Sequence, residues 1–153
     1  MKPWSAPAEY NRGVRNEALI PIPSDMPESK PSVRALILVV EDEALVRMML
    51  VDVLDDAGFK VMEAAHADEA LHILAAVPDV QVVVTDVEMP RGSINGFELA
   101  CRVRQDWQDI GVLIASGRVA PAPGDLPEGA YFVEKPVRPE RLLDLIRALL
   151  RDG

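Results

Sequence analysis

Five short apolar runs alternate along this chain with stretches whose apolar residues recur every three or four positions, and that alternation leaves few folds open. The runs cover residues 35–40, 60–64, 80–85, 112–115 and 131–133. The first and third are dense in Val, Leu and Ile, as suits strands covered on both faces. Between the first two, Val46, Met49, Leu50, Val53 and Leu54 pattern a helix over residues 43–57, with their side toward the core. Gly58 ends that helix, because glycine tolerates the left-handed backbone of a helix stop. Further helices are predicted over 67–77, stopped by Pro78, over 96–105 with Phe97, Leu99, Ala100 and Val103, and over 139–151 with Leu142, Ile146 and Leu149. Strands alternating with helices predict a doubly wound α/β domain around a five-stranded parallel sheet.

One crossover breaks the rhythm. Residues 117–129 hold three prolines and three glycines in 13 positions, which removes backbone donors and opposes helix formation. The fourth helix is therefore expected to be short or missing. Residues 1–33 hold six of the 13 prolines and little periodicity. They read as a disordered tail ahead of a domain over 34–153, with Met26 as a second candidate start.

Charge and composition exclude several roles. Net charge is −9, and residues 35–153 carry about −10, from 11 basic and 21 acidic side chains. Such a domain repels nucleic acid, whose binding rests on neutralising phosphates with Lys and Arg. No apolar run approaches the roughly 20 residues of a membrane span, and the N-terminus lacks the apolar stretch of a secretory signal. Cys101 is the only cysteine, which rules out an internal disulfide and fits a reducing, cytoplasmic setting. It reads as a small residue on a helix, and His66 and His72, without further ligand spacing, read as solvent-facing.

The chemistry is concentrated where the apolar runs end. Glu41, Asp42 and Glu43 follow the first run and Asp86 follows the third. Carboxylates at neighbouring strand tips repel in a partly desolvated crevice unless a cation sits among them. Ser116 closes the fourth run, and Lys135-Pro136 follows the fifth, bringing a hydroxyl and an ammonium to the same edge. Acid pair, lone aspartate, hydroxyl and lysine together suit a phosphoryl acceptor assisted by magnesium.

In this order the motifs Val39-Val40-Glu41-Asp42-Glu43, Thr85-Asp86-Val87-Glu88-Met89-Pro90, Ala115-Ser116-Gly117 and Glu134-Lys135-Pro136 resemble those of response-regulator receiver domains of two-component signalling. The resemblance implies a flavodoxin-like sheet of order 2-1-3-4-5, with the crevice between strands 1 and 3. It makes Asp86 the phosphoacceptor and Asp42 a direct Mg²⁺ ligand. Glu41 binds the metal directly or through water, and the Glu88 backbone carbonyl adds another oxygen. Lys135 and Ser116 then hold phosphoryl oxygens, and Phe132 occupies the aromatic switch position. The implied donor is a sensor histidine kinase or histidine phosphotransfer protein. On helix 43–57, Leu45, Met48 and Val51 form a second apolar set, expected to dock that donor. The expected product is a stand-alone regulator, monomer or weak dimer, that acts by protein contact and is not an enzyme on other substrates.

Two departures and two rivals accompany that resemblance. The loop after Pro90, Arg91-Gly-Ser-Ile-Asn-Gly96, is longer than usual in the family, and its glycine and asparagine make it adaptable. Phe132 lacks the hydroxyl of the tyrosine frequent at that place. The first rival is a pseudo-receiver that binds partners without phosphorylation. The second is a haloacid-dehalogenase-type phosphatase, which needs Asp-x-Asp-Gly-Thr and a cap region for which the chain has no room.

Overall fold

The computed structural model describes residues 34–152, so the readings made of residues 1–33 lie outside the described residues. Five strands, β1 (Leu36–Val40), β2 (Lys60–Ala64), β3 (Val80–Thr85), β4 (Gly111–Ser116) and β5 (Tyr131–Glu134), form one parallel sheet. Their order is β2-β1-β3-β4-β5, with the chain reversing direction across the sheet at β1. Helices α1 (Ala44–Asp56), α2 (Ala67–Ala76) and α3 (Gly96–Asp106) connect the first four strands, and α4 (Pro139–Asp152) closes the domain. No helix forms between β4 and β5, as the prolines there require.

Successive strand residues point to opposite faces, so each strand feeds two cores. Leu38, Val40, Val83 and Ile114 pack against α2 and α3, with Ala70, Leu99 and Val103. Ile37, Val39, Val82 and Leu113 pack on the other side against α1 and α4, with Leu54, Leu142 and Ile146. The loop that replaces the fourth crossover helix covers part of the first core through Val119, Leu126 and Ala130.

Helix α1 faces differently from the sequence expectation. Met49 is not a core residue but 66% exposed, and Val51 is not in the exposed set but packs with Leu50 and Val53 on the core. Leu54 is the fully buried anchor of this helix. Leu50 and Val51 precede it by four and three positions and share its side, whereas Met49 precedes it by five and lies on the far side. The exposed apolar set is therefore Leu45, Met48 and Met49.

Candidate functional site

The register of the sheet decides which strand tips meet. Val40 of β1 pairs with Thr85 of β3, and the Asp86 amide donates to the Val40 carbonyl at 3.1 Å. Ser116 of β4 pairs with Glu134 of β5, and the Lys135 amide donates to the Ser116 carbonyl at 3.0 Å. Glu41, Asp86, Ser116 and Lys135 therefore arrive at one edge because each follows or ends a strand in register. The Lys135–Pro136 bond is cis.

Glu41, Asp42 and Asp86 each place a carboxylate oxygen within 4.8 Å of the others. Glu41 is only 1% exposed. Its Oε1 accepts from Lys135 Nζ at 2.7 Å, and its Oε2 from the Glu43 amide at 3.2 Å. Asp86 Oδ1 accepts from the Val87 amide at 2.8 Å and lies 3.7 Å from Lys135 Nζ. Burial raises the pKa of the Glu41 carboxyl, against the hydrogen bond and charge of Lys135. Burial likewise raises that of Asp86, against the charge of Lys135, while Asp42 and Glu88 push it further up. One ammonium thus meets two of three crowded carboxylates, which leaves an excess of negative charge that a divalent cation would balance. A donor set made only of oxygens suits a hard cation of the Mg²⁺ or Ca²⁺ kind.

The surroundings shape an open cleft of about 960 Å³ at this edge, whose lining includes Asp42, Glu88, Ser116 and Lys135. Ser116 is buried, and its Oγ accepts from the Arg118 and Val119 amides at 3.4 and 3.2 Å. With its acceptor capacity engaged, the hydroxyl proton is the part left to donate. The Glu88 carboxylate pairs at 3.6 Å with Arg118 across exposed ground, so its side chain is directed to a neighbour rather than held in the acid cluster. Phe132 is half-buried and stacks on Phe97 of α3, with ring centroids 6.5 Å apart.

The long loop after Pro90 is anchored rather than free. Ser93 donates to Asp68 twice, from its amide at 3.1 Å and from its hydroxyl at 2.6 Å, which ties the loop to α2. Asn95 and Glu98 then form a reciprocal capping box that starts α3. Gly96 follows because nothing larger fits. A Cβ there would strike the Asp86 carbonyl oxygen and stand 2.8 Å from Val87 Cα, so α3 rests directly on the backbone at the tip of β3.

Several of these contributors were not foreseen. His66 is not merely solvent-facing: its Nδ1 accepts from the Glu69 amide at 3.3 Å as the cap of α2. Histidine is uncommon as a cap, so only the Glu69 three positions on could have hinted at it. Arg47 of α1 reaches back to the β1 tip, where its Nη1 donates to the Glu41 carbonyl. Cys101 is exposed on α3 and His72 on α2.

The family model described as "Response regulator receiver domain" matches residues 37–147. The chain is 38% identical over 119 residues to the response regulator MprA of Mycolicibacterium vanbaalenii, covering 75% of this chain and 50% of that one. It is 36% identical over 120 residues to the sensor kinase CckA of Brucella abortus, covering 76% of this chain and 12% of that one. The chain thus spans half or less of the length of both curated relatives. Among solved structures it resembles the response regulator protein TrrA of Thermotoga maritima, crystallised in complex with Mg(2+)-BeF. That match has a TM-score of 0.67 and 27% identity, over 75% of this chain and 98% of that one. Among the described residues, no helix is long and apolar enough to cross a membrane.

Proposed function

This chain belongs to the response regulator receiver domain family, and on that premise we propose that Asp86 accepts a phosphoryl group from a phosphohistidine in a Mg²⁺-dependent reaction. The observation that carries the reading is the convergence of Glu41, Asp42 and Asp86 within 4.8 Å, with Lys135 Nζ beside them. Asp42 and Asp86 would hold the metal with the Glu88 carbonyl, and Glu41, whose oxygens already serve Lys135 and an amide, would act through water. TrrA's complex with Mg(2+)-BeF makes the same metal reasonable here. When bound, Mg²⁺ supplies charge neutralisation at the phosphoryl oxygens.

The chain's own residues supply the rest by position and charge. Asp86 Oδ1 is held by the Val87 amide, which leaves Oδ2 as the attacking oxygen. It bonds to phosphorus as the P–N bond to the donor imidazole breaks. The electron pair leaves on that nitrogen, which takes a proton from water. Lys135 neutralises one phosphoryl oxygen, and the Ser116 hydroxyl donates to another. The chain then acts as a phosphoacceptor that signals by protein contact, with no other substrate. The exposed apolar face of α1, Leu45, Met48 and Met49, lies next to this edge and is the surface offered to the donor's helices.

Incubation with acetyl phosphate and Mg²⁺, followed by intact mass, tests the reading. The wild type should gain one phosphoryl mass and Asp86→Asn should gain none. A wild type that stays unmodified would favour a partner-binding module that takes no phosphoryl group, and labelling of Asp86→Asn would remove Asp86 as acceptor.

A further inference from the structure

The metal-binding acid pair hangs on a single peptide group, and one side chain outside the acid cluster holds it. The carbonyl of Glu41, in the bond that joins it to Asp42, accepts from Arg47 Nη1 at 2.6 Å. The Glu41 amide on the other side donates to the Ala64 carbonyl of β2 at 3.0 Å. Arg47 is in turn fixed by Glu63 of β2, whose Oε1 accepts from its Nε at 3.1 Å. Its side chain is only 22% exposed although it lies one turn into a surface helix. The guanidinium therefore crosses from α1 to the β1 tip and is locked there by the neighbouring strand.

We propose that Arg47 is a positioning residue for the Glu41–Asp42 pair, which it serves by clamping the peptide that aims both carboxylates. The inference rests on the Mg²⁺ reading given above. A peptide free to rotate at this point would swing Asp42, whose half-buried carboxylate has to meet Asp86 from the adjacent strand. Residues that orient metal ligands in this manner commonly change metal affinity 10- to 100-fold when lost. Arg47 is also a cation near an acidic cluster, and that role has the opposite sign. If charge were all it contributed, removing it would tighten Mg²⁺ binding; if it positions the peptide, removal weakens it.

Calorimetric Mg²⁺ titration of the full chain separates the two. Arg47→Met, which keeps the length of the stem but donates no hydrogen bond, should bind Mg²⁺ about tenfold more weakly. Arg47→Lys keeps the charge and one donor but cannot reach the Glu41 carbonyl and Glu63 together, so its affinity should fall between. Amide hydrogen exchange at Asp42 and Glu43 in metal-free protein should quicken in Arg47→Met. Unchanged or tighter Mg²⁺ binding by folded Arg47→Met overturns the proposal. If that variant does not fold, wild-type affinity in Arg47→Lys overturns it instead. A wild type that binds no Mg²⁺, like Asp42→Asn, would overturn the reading of the site itself and this inference with it.

Discussion

At Asp86, burial and the charges of Asp42 and Glu88 act against ionisation, while Lys135 at 3.7 Å acts for it. Glu41 is in the same position, with Lys135 closer. For both groups the balance falls to the raised side. A carboxyl whose folded pKa is raised adds stability that is present below its unfolded pKa and lost as pH rises through the folded one. The metal-free protein is therefore expected to lose stability from these two groups as pH climbs from about 4 toward neutrality. Asp86→Asn removes one of the charges while its Oδ1 can still accept from Val87, and Lys135 keeps Glu41. In EDTA at pH 7 the variant should be more stable than the wild type by on the order of 1 kcal/mol. The difference should shrink as pH is lowered toward about 4, since a carboxyl of raised pKa sheds its charge earlier on acidification than an ordinary one. Denaturant unfolding at the two pH values measures it, and a less stable variant at pH 7 would contradict the account.

On the scale of elements, α1 serves three neighbours at once. Leu54, Leu50 and Val51 bind it to the sheet, Arg47 reaches the β1 tip, and Leu45, Met48 and Met49 remain in water. A surface helix normally carries charge on that outer side. Isolated exposed apolar residues need no explanation, but three together next to the acid cluster favour a docking patch. Met48→Glu should slow phosphoryl transfer from the cognate phosphohistidine protein about tenfold or more while labelling by acetyl phosphate stays normal, since a buried uncompensated charge at an interface costs several kcal/mol. Equal transfer rates from the protein donor would reject the patch. The β3–α3 loop makes the complementary point about rigidity. Its length and its glycines read as freedom, but the two Ser93 hydrogen bonds to Asp68 and the capping box at Asn95 fix the part that leads into α3. The Ser93 donors also lower the pKa of the Asp68 carboxyl.

For the molecule as a whole, the site exists only when strands distant in sequence lie side by side. Lys135 and Glu41 are 94 positions apart, and their 2.7 Å contact joins the fifth strand's end to the first. A metal that binds this arrangement and not the unfolded chain must stabilise the fold by mass action. At 100 times its dissociation constant, Mg²⁺ should add about 2.7 kcal/mol, or on the order of 10 °C in Tm. Asp42→Asn should lose most of that shift and Glu41→Gln less, and identical melting in Mg²⁺ and EDTA would speak against a metal centre. The order of elements was legible in the chain itself. Apolar runs, helical spacing, Gly58 and the proline-rich segment after Ser116 act through neighbours a few positions away, so the parallel sheet and the missing helix between β4 and β5 could be read directly. The acid pair, Asp86, Ser116 and Lys135 were legible for a related reason: a parallel sheet brings every strand's C-terminal tip to one edge, whatever the rest of the sequence. Only the tertiary structure decided which side of α1 faces water, that Arg47 clamps the β1 tip, that His66 caps α2, and that Asp68 holds the long loop. The His66 cap is local but made by a residue type seldom used for it; the others depend on where a helix settles over the sheet, which is set by packing between residues far apart rather than by any pattern within the helix.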